Sequence, residues 1–328
     1  MESKHIIYLD TSGLNYLADK VKNFDDFSKI KNHLNFEFYL SPITLWEILL
    51  NGNDERKDYL IYWSQFNCAN NLIKSPTEII LDFIKLDCPL KDRKEFYTDP
   101  YTKMDLGITW QNIHRKIDKT IPIDLNELKE KTKPIRDFSK KLKKIITDMC
   151  NEEYSNYNND PFHKAMLKVC KNLDYSDSQI SKYEKLIKIA LVFLFFIICI
   201  GIELQNNLLR AYWKELKIED PFDKLDYLID NYPMLLNRGP LIEMAKMSDE
   251  QLKMSNSKSR GLLHDCFHAI YCYYTDNVIT GDEHFKSLRE NEKDTIFSRI
   301  LMTEEIELIW EETLNELTNQ SDCEFSPK

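Results

Sequence analysis

Four acidic residues stand where short apolar runs end or helices begin, and carboxylates gathered in such places hold hard divalent cations through oxygen. In KHIIYLDTSGLNYLAD, the run Ile6 to Leu9 reads as a buried strand that stops at Asp10, and Thr11 and Ser12 start an amphipathic helix through Leu14 and Leu17. In LLHDCFHAIYCYYTDNVITGDEHF, Asp265 opens a helical stretch, and the short strand Val278 to Thr280 delivers Asp282 across a turn at Gly281. In FEFYLSPITLWEILLNG, Ser41 reads as a helix cap with Pro42 at the first helical position, and Glu47 lies among apolar neighbours. An unpaired carboxylate is costly to bury, so Glu47 either reaches the helix edge or sits in a polar pocket. Each position also has a structural explanation. Asp10 can cap the next helix, Asp265 suits the dipole of a helix start, and Asp282 suits a turn, with Glu283 able to replace it as a ligand.

The elements that must position these residues follow from pattern and composition. The 328 residues, 43% hydrophobic and 12% aromatic, have room for a real core, and only 7 glycines and 11 prolines point to a mainly helical chain. Residues 1–87 alternate strands (Ile6 to Leu9, Phe36 to Leu40, a short run at Leu72 and Ile73) with helices. Residues 88–235 are nearly all helical in pattern and rich in Lys and Asn, broken by a loop from Tyr154 to Pro161 and a turn at Glu219, Asp220 and Pro221. From 236 to 300 the α/β character returns, with a helix from Leu262 to Tyr274 and the strand at Val278, and 301–328 closes as a helical tail. The middle block therefore reads as an insertion into a fold made by the two ends.

Charge and composition bound the function. A formal net charge of -10 argues against a passive whole-surface binder of nucleic acid, because phosphate neutralisation needs clustered Lys and Arg. It leaves room for an acidic site neutralised by cations, served by a local basic patch. The candidate patch is Lys129, Lys131, Lys133, Arg136, Lys140, Lys141, Lys143 and Lys144, whose plain alternative is a solvated helix face. Trp110, Tyr154, Tyr157, Tyr212 and Trp213 can stack on unpaired bases or pack in a core. The uncharged run Ile189 to Ile202 falls short of the about 20 residues of a spanning helix and reads as a buried helix, with a partner interface or shallow membrane association as alternatives. A lone span there would also put Asp10 and Asp265 on opposite sides of a bilayer. The 8 cysteines show no CxxC or finger spacing, and Met1 to Lys4 leads straight into a strand, so reduced thiols and a cytoplasmic chain are expected. His264, His268 and His284 lack a zinc-type ligand set, and His268 reads as a packing or supporting residue.

Taken together, the segments resemble the PIN-domain nucleases. The likeness rests on Asp10, Thr11 and Ser12 at a strand end, Glu47 in the helix after a second strand, Asp265 followed by His268 on a late helix, and Thr280, Gly281, Asp282 and Phe285 after a late strand. It covers the two ends of the chain and implies a PIN-like central parallel sheet flanked by helices, elaborated by the long helical insertion. It also implies a metal-dependent endoribonuclease in which Asp10, Glu47, Asp265 and Asp282 hold Mg²⁺ or Mn²⁺, with Thr11, Ser12, His268 and Thr280 in support. Such an ion provides a strong nucleophile at neutral pH and stabilises charge on phosphorus oxygens. Single-stranded RNA or tRNA is the expected substrate, with DNA as an alternative, and the role is that of a toxin-like or defence effector or a processing enzyme. A cognate inhibitor or regulatory protein, and self-association, are further expected partners. The contrasting expectation is a non-catalytic scaffold that binds a protein or membrane through the Ile189 to Ile202 helix.

Overall fold

Three consecutive side chains of the first strand, Ile7, Tyr8 and Leu9, are fully buried, as in a strand covered on both faces. This strand, β1 (His5–Leu9), leads through α1 (Thr11–Lys20) and α2 (Phe24–His33) to β2 (Phe36–Tyr39), which pairs parallel to it from His5 opposite Phe36 to Tyr8 opposite Tyr39. Next come α3 (Pro42–Leu49), α4 (Asp54–Cys68) and the two-residue β3 (Leu72–Ile73), the last joined by a parallel bridge between Leu40 and Leu72. The Ser41 hydroxyl accepts the Thr44 N–H at 3.2 Å and so caps α3 as the Ser-Pro pair predicts. Behind it the Tyr8 hydroxyl lies 2.9 Å from Ser41 Oγ and 3.0 Å from Thr44 Oγ1, which ties the middle of β1 to the start of α3.

The computed structural model describes residues 4–20, 24–49, 51–68, 71–74, 79, 97–98, 144–146, 161–203, 207–236, 240–254, 262–291 and 296–324. The chain forms two compact units: Met1–Ile73 with Tyr274–Lys328, and Lys74–Tyr273.

The described part of the second unit is helical apart from the two-residue strand Tyr97–Thr98. In α5 (Pro161–Asn172) the buried residues Phe162, Ala165, Met166, Val169 and Cys170 recur at helical spacing along one face. α6 (Asp177–Glu203) carries the apolar run. Ile189 to Leu194 and Phe196 to Ile198 are buried, and α6 packs against α5, α8 (Pro221–Asn231) and α9 (Pro240–Met254) of its own unit. Among the described residues no helix is long and apolar enough to cross a membrane. α7 (Asn207–Leu216) precedes α8, whose start is the expected turn: Asp220 Oδ1 accepts the Phe222 N–H at 2.7 Å, with Pro221 just inside. α10 (Leu262–Tyr271) lies along α9 and stacks Phe267 on Phe196 with centroids 6.0 Å apart. It begins three residues before Asp265, so Asp265 stands in its first turn rather than opening it, and it stops short of the expected end at Tyr274.

Returning to the first unit, β4 (Asn277–Thr280) pairs parallel with β1, and α11 (Glu283–Asn291) follows. β5 (Ile300–Met302) pairs parallel with β4 before α12 (Thr303–Glu324). The sequence reading has no strand at β5, because three apolar residues beside a helix carry no period of their own. The result is an α/β unit around a small four-stranded parallel sheet in the order β2-β1-β4-β5. Phe27 anchors its aromatic core, stacking on Phe38 and Trp310 at 5.6 and 4.9 Å and meeting Trp63 edge-on at 5.5 Å. From β1 the chain continues to β2 on one side, while β4 lies on the other. The carboxyl ends of β1 and β4 therefore flank a reversal in strand order, where open parallel sheets form their ligand crevices.

Candidate active site at the carboxyl ends of the parallel strands

Asp10, the first residue past β1, is only 4% exposed, and its carboxylate accepts from several elements at once. Gly13 N–H donates to Oδ1 at 2.7 Å from the first turn of α1, and Thr280 Oγ1 donates to Oδ2 at 2.5 Å from the end of β4. The Ser12 hydroxyl lies 2.8 and 3.0 Å from the two oxygens and itself accepts the Gly281 N–H at 2.7 Å. Asp10 thus caps α1, as its structural explanation requires, and also joins two neighbouring strands. Gly13 makes the close approach possible, since a Cβ there would lie 2.2 Å from the Ile279 carbonyl oxygen. A glycine inside an otherwise helical pattern is the sequence signal for such a contact.

Glu47 is half-buried on α3 and accepts from the Thr11 hydroxyl, so it is not an unpaired carboxylate. Thr11 therefore supports Glu47, and Ser12 supports Asp10. Thr280, expected as a supporting residue, donates its hydroxyl to the Asp10 carboxylate and accepts the Asp282 N–H at 3.1 Å. Asp282 caps α11, Oδ1 accepting the His284 N–H at 2.8 Å, and the same oxygen lies 2.8 Å from His284 Nδ1. The sequence reading sets His284 only against a zinc ligand set and so does not contain this pairing. Thr280 thus links the Asp10 carboxylate to the main chain of Asp282 at the carboxyl ends of β1 and β4, and Thr11, next to Asp10 in the chain, donates to Glu47.

A third junction of the same kind provides a contrast. After β5, Glu305 reaches back from α12 to accept the Met302 N–H at 2.8 Å and pairs with Arg289 at 2.6 Å. The Arg289 guanidinium holds the Glu305 carboxyl below its ordinary value, with the Met302 N–H adding to the effect against partial burial. This carboxylate is already neutralised by a fixed cation.

Asp265 and His268 belong to α10 in the second unit. Gln251 Nε2 of α9 donates to Asp265 Oδ2 at 2.5 Å, and His268 is buried. Of the basic patch, Lys144 is exposed in a short helical stretch, while Lys129, Lys131, Lys133, Arg136, Lys140, Lys141 and Lys143 lie outside the described residues, as do Trp110, Tyr154 and Tyr157. Trp213 is buried against Tyr212 and Tyr227, in keeping with core packing. Comparison of the chain with protein-family models, curated proteins and solved structures gives no match.

Proposed function

We propose that the chain is a metal-dependent endoribonuclease of PIN-like design, with Asp10, Glu47 and Asp282 as metal ligands and Asp265 as the fourth ligand that the resemblance adds. The observation that carries this reading is Asp10: a carboxylate buried at a switch point of a parallel sheet and held by donors from α1 and β4. The donor set consists of carboxylate oxygens backed by hydroxyls, which fits Mg²⁺ or Mn²⁺ and does not suit a soft, thiolate-preferring ion. When bound, such an ion supplies activation of water and charge stabilisation at phosphorus. The chain's own residues do the positioning. Ser12, Gly13 and Thr280 fix both oxygens of Asp10, Thr11 fixes Glu47, and the α11 N-terminus fixes Asp282.

The substrate of this reading is single-stranded RNA or tRNA, the role that of a toxin-like or defence effector, and a cognate inhibitor the natural regulator. The purified protein should cleave single-stranded RNA in Mn²⁺ and lose cleavage in EDTA. Asp10→Asn and Asp282→Asn should each lower the rate by more than the about 10–100-fold that loss of a supporting residue costs. Undiminished cleavage by both variants would remove the site assignment. A protein that neither cleaves nor binds Mn²⁺ would favour the scaffold reading, for which the capping roles of Asp10 and Asp282 are sufficient reason to be present.

A further inference from the structure

Gln251 is fully buried on α9, an uncommon place for an amide side chain, and its orientation is fixed by chemistry. Its Nε2 lies 2.5 Å from Asp265 Oδ2. Turning the amide over would set Oε1 against a carboxylate oxygen, two acceptors with no proton between them, so nitrogen must face Asp265. Oε1 then points into the protein, and among the described residues no donor reaches it. An apolar side chain of similar length would fill the same volume without leaving a buried carbonyl unsatisfied. α9 and α10 pack closely along their length, so the two residues meet on rigid helices.

We infer that Gln251 is the positioning residue of Asp265, holding the carboxylate in the rotamer from which it takes part in cation binding. This rests on the proposed metal-dependent reading and goes beyond it, because neither the motif residues nor their spacing point to position 251. Metal ligands are commonly oriented by such outer partners, whose loss lowers metal affinity by about 10–100-fold. One Nε2 hydrogen is spent on Asp265, and the buried Oε1 is an acceptor for a donor such as a water at the same place.

The test is calorimetric titration of the full chain with Mn²⁺, alongside thermal melting without metal. Gln251→Met keeps length and removes both polar atoms. The expected result is at least a tenfold weaker Mn²⁺ affinity with an unchanged metal-free melting curve. In an Asp265→Asn background, Gln251→Met should produce no further loss, because the residue acts only through Asp265. If Gln251→Met does not fold, Gln251→Asn, which retains the amide but is too short to reach, is read in the same way. Wild-type protein that binds Mn²⁺ while a folded Gln251 variant binds equally well overturns the positioning role alone. An additive loss in the Asp265→Asn background does the same, since it shows a general packing effect. Wild-type protein that binds no Mn²⁺ overturns both this role and the metal-dependent reading.

Discussion

Two junctions in the sheet-containing unit are built alike and held differently. At both β1–α1 and β4–α11 an aspartate follows the strand and caps the next helix. Asp10 is nearly inaccessible, and its oxygens accept from its own helix and from the neighbouring strand. Asp282 is partly exposed, and its Oδ1 is engaged by the main chain and ring of His284, two residues on. The first carboxylate is therefore fixed by tertiary structure and the second by local structure. Two residues that look equivalent in a motif differ in what else depends on them.

The sharpest way to break this comparison is to remove each carboxylate. Asp10→Ala loses a cap and leaves the buried Thr280 hydroxyl without its acceptor, which together should cost about 2 to 3 kcal/mol. Asp282→Ala loses a cap and the contact with the His284 ring and should cost about 1 kcal/mol. Urea unfolding of both variants without metal measures the difference, and equal shifts would mean that the cross-strand link carries no weight. Next in size is Gly13→Ala. The added methyl meets a backbone carbonyl at the end of β4, which cannot turn aside like a side chain, and about 2 kcal/mol of destabilisation should follow. A loss in Gly13→Ala confined to helix content, with β4 amide exchange unchanged, would show that α1 yields instead of the sheet.

The smallest effect concerns the third junction. Because the folded-state pKa of Glu305 is depressed below the ordinary 4.5, its contribution is present above that pH and is lost as pH falls through the lower folded value. Glu305→Gln should therefore reduce stability at neutral pH and flatten the acid side of the stability profile below about pH 4.5. The pair is substantially exposed, so the change should stay under about 1 kcal/mol. A profile that keeps its slope would place the acid sensitivity elsewhere.

What was legible in the sequence was local. Alternation and length give β1, β2 and β4 to within a residue, Ser41 and Pro42 give the start of α3, and the turn at Glu219, Asp220 and Pro221 falls where α8 begins. The run at Ile189 read as buried because it is too short for a bilayer, and it packs within its own unit. What was not legible depends on neighbours far along the chain. Thr280 could be matched with Asp282 by proximity in sequence, but its acceptor, Asp10, is a neighbour only once β1 and β4 pair. β5 becomes a strand through the edge of β4, and Gly13 gains its meaning from Ile279. The role of Gln251 had no sequence signal, since a glutamine in a helix is ordinarily a surface residue.

The link between Asp10 and Thr280 spans 270 positions of chain. At about 5–20 residues per second of synthesis, the first strand waits on the order of tens of seconds for the neighbour that completes its surroundings. Throughout that interval the growing polypeptide lacks the hydroxyl that aligns its first carboxylate. The surroundings of Asp10 are thus completed only after β4 has been made, long after the strand that carries it.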